Sequence, residues 1–194
     1  MFVRLALVLF GLGFALQVSA QETASDPAAP TEDGLSMGET VVEGRTVGER
    51  YIKETFGDWA HRCLTTESGD DPCEAYQLLL DSEGNAIAEV SLVPIAGGGQ
   101  AAAGATVTTP LETLLTRQLT ISVDGGVEKR YPFAFCTRVG CFSRIGLTQE
   151  DVDTYKAGAV ALVTVVPAQS PETIVELPIS LTGFTAAFDG LSGS

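Results

Sequence analysis

The chain has 194 residues, a formal net charge of −14 and a sequence that is 45% hydrophobic. That length can bury one sizeable core. The acidity excludes binding of nucleic acid or anionic lipid through the overall electrostatic field.

The opening stretch MFVRLALVLFGLGFALQVSA puts Arg4 ahead of an apolar run from Leu5 to Leu16 and closes on Val18-Ser19-Ala20. This is the layout of a secretory signal peptide cleaved after Ala20. The run is too short to cross ~30 Å of hydrocarbon, and nothing later is long and apolar enough. A periplasmic or otherwise extracytoplasmic protein, without a transmembrane segment after cleavage, is expected. Losing Arg4, the only charged residue of residues 1–20, takes the net charge from −14 to −15. Residues 21–50 then carry Glu22, Asp26, Glu32, Asp33, Glu39, Glu43 and Glu49, two prolines and no aromatic residue. With so little to bury, they are expected to form an acidic flexible leader, tethered only near its end by Val41, Val42 and Val47. The folded domain is expected over residues 51–194.

From Tyr51 the pattern is of short strands and turns. Residues 57–63 alternate, with Trp59 and His61 on one face and Ala60 and Arg62 on the other. Residues 73–95 read as two strands around the turn Asp81-Ser82-Glu83-Gly84-Asn85. Residues 96–110 are a glycine-rich loop leading into a short strand that ends at Pro110. Residues 117–136 read as a hairpin turning at Asp124-Gly125-Gly126, residues that tolerate positive φ. Two more β-branched runs follow at 159–166 and 172–179. Thr148 with Asp151 makes a capping box for a helix over 149–157 that Gly158 closes, and Ser180 is placed to cap a last short helix through Phe188. This pattern predicts a mainly β fold, an antiparallel β-sandwich with two short helices.

Four cysteines, Cys63, Cys73, Cys136 and Cys141, read as a disulfide framework in an oxidising compartment. Of the three possible pairings we expect the local one, Cys63–Cys73 with Cys136–Cys141. Longer crossed loops carry more chain entropy, but Val139-Gly140 allows a tight return that brings two strand ends together. The two local loops are worth roughly 3 and 2 kcal/mol. The alternative is a thiol-redox or metal-binding factor using Cys136 and Cys141. C-x₄-C fits zinc marginally and C-x₉-C does not, while a redox pair normally wants C-x-x-C.

Catalytic groups are sparse. The single histidine, His61, shares a strand face with Trp59 and reads as core support; no serine sits in a nucleophile-elbow pattern. AGGGQAAAG lacks the Lys-Ser/Thr ending of a phosphate loop. The acids of ESGDDPCE and DSEGN lack the spacing of a calcium loop, and no carboxylate pair stands out for glycoside chemistry. No catalytic residue, metal or cofactor is expected. One stretch departs from the average: Lys129, Arg130, Arg138 and Arg144 cluster without an acid between 129 and 144, interleaved with Tyr131, Phe133, Phe135 and Phe142. Alternation puts Tyr131, Phe133 and Phe135 on the core face. The bases either neutralise Glu128 and Glu150 or form a cationic patch for an anionic glycan, a lipid headgroup or an acidic protein surface.

The motifs FGDWAHRC (56–63), PCEAYQLLLDSEGN (72–85), TPLETLL (109–115), YPFAFCTRVGCFSRIGL (131–147) and LPISLTGFTAAFDGL (177–191) resemble, in order, those of the invasion-associated locus B family of exported bacterial proteins. The resemblance makes Trp59, Cys63, Cys73, Cys136, Cys141, Ser180, Leu181, Gly183 and Phe184 the signature positions. It implies an Ig-like β-sandwich at the periplasm or outer surface, a role in host-cell entry among pathogenic members, and no catalytic residues. The acidic leader lies largely outside it. A non-enzymatic envelope protein that binds an envelope or host-surface component, or supports envelope organisation, is the expected function.

Overall fold

Alternation of apolar and polar residues produces two antiparallel sheets whose inward residues meet across one core. The computed structural model describes residues 38–97 and 99–192; the signal segment and the leader up to residue 37 lie outside the described residues. In chain order the strands are β1 (Val41–Val42), β2 (Arg45–Thr46), β3 (Arg50–Phe56), β4 (Trp59–Leu64), β5 (Cys73–Leu80), β6 (Ala86–Pro94), β7 (Ala103–Thr109), β8 (Leu119–Val123), β9 (Lys129–Tyr131), β10 (Phe135–Thr137), β11 (Gly140–Leu147), β12 (Val160–Val165) and β13 (Val175–Ser180). The helices are α1 (Gln149–Ala157), between β11 and β12, and α2 (Phe184–Leu191), after β13. A seven-stranded sheet runs β10-β11-β7-β6-β5-β4-β3, and a four-stranded sheet runs β13-β12-β8-β9.

The central strands bury alternate residues. The large sheet contributes Trp59, Ala75, Leu79, Val90, Leu92, Ala105, Val107, Ile145 and Leu147; the small sheet contributes Leu119, Ile121, Ala161, Val163, Leu177 and Ile179. Phe184, Ala187 and Phe188 of α2, with Val152 and Tyr155 of α1, complete the same core. This is the antiparallel β-sandwich with two helices that the sequence predicts. At Thr148 the expected capping box is present: its hydroxyl accepts from the Asp151 backbone N–H (3.2 Å), and Asp151 accepts from the Thr148 N–H (3.0 Å).

Three local readings are corrected. Residues 40–49, assigned by composition to the leader, hold the β1–β2 hairpin, joined to the domain by Gly48 N–H to Thr65 O (2.9 Å) and Thr65 N–H to Glu49 O (2.9 Å). A composition argument weighs side-chain burial and misses this backbone ladder; Val41 itself stays exposed. The hairpin expected over 117–136 ends at Tyr131, because Pro132 has no N–H to continue the ladder. The chain crosses there to the large sheet, where Phe135 faces solvent, 48% exposed, rather than the core. Ser180 ends β13 instead of capping α2, which starts after Gly183 without a side-chain cap.

Candidate functional site

Two signature segments distant in sequence, Gly57-Asp58-Trp59 and Ser180-Leu181-Thr182-Gly183-Phe184, interlock. Gly57 (φ 59°) and Gly183 (φ 86°) adopt backbone conformations that L side chains resist. They also let two turns touch backbone to backbone: a Cβ on Gly183 would lie 1.8 Å from Phe56 O, and one on Gly57 would lie 2.7 Å from Thr182 O. Asp58 N–H donates to Thr182 O (3.1 Å), and Ser180 Oγ donates to Asp58 Oδ2 (2.5 Å). The Ser180 carbonyl accepts from both Trp59 Nε1 (2.7 Å) and Gln77 Nε2 (3.0 Å), while its N–H donates to Gln77 Oε1 (2.8 Å). Trp59 meets Phe184 edge-on at 5.2 Å. These residues lock the small sheet and α2 onto the large sheet. Gln77 was not among the sequence candidates, although a glutamine at an inward position of β5 was the available sign.

Both disulfides are local and cross-strand: Cys63–Cys73 joins register partners on β4 and β5, and Cys136–Cys141 joins partners on β10 and β11. The four sulfurs thus form two separate covalent pairs, and no described cysteine is free. The tight return proposed at Val139-Gly140 is displaced by one residue, since Thr137 pairs with Gly140 around Arg138-Val139. His61 is buried; its Nε2 donates to Ala187 O (2.7 Å) and its ring packs on Phe56. Among the described residues, no group of three or more His, Cys, Asp or Glu side chains could hold a metal ion.

The basic stretch is divided between the two sheets. Lys129 and Arg130 lie on β9 of the small sheet; Lys129 pairs with Asp151 and Arg130 approaches Glu128 at 4.0 Å. Neutralisation therefore uses Asp151 where Glu150 was expected. Arg144 lies on β11 and Arg138 on the β10–β11 turn, at the large sheet, and neither guanidinium has an ion-pair or side-chain hydrogen-bond partner among the described residues. The outward face of that sheet carries a set of exposed apolar side chains among its polar ones. Ile52, Leu64, Leu78, Leu80, Val93, Ile95 and Phe135 are exposed on or beside it, with Val139 79% exposed at the hairpin tip. Phe135 stacks on Phe142 (4.9 Å, 21°). On the same face Arg62 bonds Glu74 and Glu89 (2.8 and 2.9 Å) and stacks over Tyr76 (3.8 Å to the centroid). Burial alone would lower the Arg62 pKa, but its bonds to Glu89 and Glu74 outweigh that and raise it.

In the first turn of α1, burial pushes the Asp151 carboxyl up, but its bonds to Lys129 and Thr148 prevail and hold it below the usual aspartate value. A depressed folded pKa means stabilisation that is complete above the unfolded value and lost as pH falls through the folded one. Asp151→Asn is expected to cost about 1 kcal/mol at neutral pH, from a weakened cap and a lost surface pair. The difference from wild type should shrink below about pH 4. Urea unfolding at pH 7 and pH 3 checks this, and an equal gap at both would refute the assignment.

Fold and site together define a disulfide-stapled antiparallel sandwich, its sheets locked by paired glycine turns and one outer face carrying exposed apolar side chains and arginines. The chain belongs to the invasion associated locus B family, whose model matches residues 59–192. It is similar in fold to the crystal structure of invasion associated protein b from Bartonella henselae, with a TM-score of 0.57 and 22% identity, over 72% of this chain and 94% of that one. No curated protein matches the sequence. No described helix is long and apolar enough to cross a membrane.

Proposed function

We propose that this chain is a non-enzymatic envelope protein, exported to the periplasm or beyond, that holds an envelope or host-surface component against the outer face of its large sheet. The observation that carries the reading is the coincidence on that face of exposed apolar side chains with Arg138 and Arg144, two cations without partners among the described residues. Exposed apolar side chains rimmed by polar residues mark interaction sites on soluble domains. Export is supported by the two disulfides, which persist in oxidising compartments, and by the signal-like first twenty residues. A scaffold role is supported by the engagement of His61, the only histidine, in a core hydrogen bond.

The double variant Arg138→Glu/Arg144→Glu tests the surface. Both side chains point to solvent, so the melting temperature should change little, while retention of envelope components on the immobilised protein should fall at least about tenfold, as for charge reversal at an interface. Unchanged retention would remove the surface from the function.

A further inference from the structure

Two glycines face each other near one end of the β7–β11 pair of the large sheet. Gly104 of β7 is the register partner of Gly146 of β11, both on the outward face. Glycine weakens a strand interior, because it adds backbone entropy and packs nothing. Nothing in the fold demands it here. Neither residue has a positive φ, and a Cβ would meet only ordinary contacts: 3.5 Å from Ile95 Cδ1 at Gly104, and 3.5 Å from Ala101 Cβ at Gly146. This contrasts with Gly57 and Gly183, where the opposing backbone leaves no room for a side chain. What the pair creates is space outside the sheet, a trough of about 340 Å³ floored by bare backbone, walled by Val93 and Ile95 and rimmed by Ser91, Thr106, Glu74 and Arg144.

We infer that the Gly104–Gly146 trough is the anchor pocket of the docking face, taking an apolar or aromatic side chain of a protein partner whose adjacent carboxylate meets Arg144. The inference rests on the docking reading above and specifies its occupant. Charge complementarity selects an acidic partner. In strands β4 to β7 and β11 the outward acids are Glu74 and Glu89, both already engaged by Arg62, while Arg144 is unpaired among the described residues. Residue type selects a protein over a polyanionic glycan or a lipid surface. Apart from Lys53, at the bulge of edge strand β3, the basic residues of the face, Arg50, Arg62, Arg138 and Arg144, are arginine, set among Tyr76, Phe135 and Phe142. Arginine and aromatics are the types enriched in protein–protein interfaces, where lysine is depleted. A pocket beside such residues, once a partner covers it and excludes water, is where binding energy concentrates.

Filling the trough gives effects of opposite sign on folding and binding. Gly146→Val should leave the melting temperature equal or raised, since a β-branched residue suits a strand, while closing the pocket. The probe is a phage-displayed library of random peptides, selected on the full chain and then compared on Gly146→Val. Enriched sequences should combine an apolar or aromatic residue with a neighbouring Asp or Glu, and should bind Gly146→Val at least about tenfold more weakly. No enrichment, sequences without acids, or binding indifferent to the filled trough would each overturn the inference. Envelope components lost with Arg138→Glu/Arg144→Glu but kept by Gly146→Val would leave the docking face standing and remove the trough. Components indifferent to the arginines would instead remove the docking reading.

Discussion

Gly183→Ala is expected to destabilise the domain by at least about 3 kcal/mol, because a side chain at strained φ adds to a backbone collision. The new Cβ would sit 1.8 Å from Phe56 O and 2.4 Å from its carbonyl carbon, at φ 86°. Neither partner can retreat cheaply. The Phe56–Gly57 turn is held by Asp58 N–H on Thr182 O and by Ser180 Oγ on Asp58, and Gly57 faces Thr182 at similarly close range. Opening the turns would draw Trp59 and Gln77 away from the Ser180 carbonyl and leave buried donors without acceptors. Gly57→Ala, with a 2.7 Å approach to the same segment, should fall between Gly183→Ala and wild type. Urea unfolding followed by circular dichroism measures both. A Gly183→Ala protein with the wild-type midpoint would show that the interlock is not what joins the sheets.

Strands β4 to β9, β12 and β13 and helix α1 are legible because each rests on local signals: period-two alternation, turn residues at Asp81–Asn85 and Asp124–Gly126, and the Thr148–Asp151 box; β1 to β3 are not, since few of their side chains are buried. Two failures have a common cause, an interaction between segments far apart in sequence. Ser180 looks like a cap because a hydroxyl precedes an apolar run, yet its groups are claimed by Asp58 and Gln77 more than 100 residues earlier. The bases of 129–144 look like one patch because they are close in sequence, yet the crossing at Pro132 sends them to different sheets. Phe135 escapes the core because alternation does not carry through that same proline. The signature residues themselves were visible from the family resemblance, but their shared purpose was not. It lies in contacts between the Gly-Asp-Trp turn and the segment ending β13, which neither stretch encodes alone. The outer face was illegible for a different reason. An exposed leucine or valine on one strand is unremarkable, and only the seven-stranded order makes neighbours of Val93, Gly104 and Gly146.

Removing the disulfides separately is expected to give unequal losses, and removing both is expected to leave the domain marginal. The cysteines of each pair are 10 and 5 residues apart, so chain entropy assigns about 3 kcal/mol to Cys63–Cys73 and about 2 kcal/mol to Cys136–Cys141. Their sum is comparable with the whole net stability of a small domain, about 5–15 kcal/mol. Position sharpens the difference. Cys63–Cys73 joins β4 to β5 inside the sheet with Cys63 buried, and β4 in turn carries β3. Cys63→Ala/Cys73→Ala should therefore lower the global unfolding midpoint. Cys136–Cys141 ties only the three-residue edge strand β10 to β11. Cys136→Ala/Cys141→Ala should lower the midpoint less but accelerate amide exchange in β10, loosening Phe135, Val139 and Arg138 together. Because those residues form one end of the proposed docking face, this variant should lose partner retention out of proportion to its lost stability. Urea titration, hydrogen exchange and retention on the immobilised protein distinguish the two bridges. Equal midpoints for both variants, or a β10 that stays protected without its bridge, would show that the edge hairpin is held by packing rather than by its sulfurs.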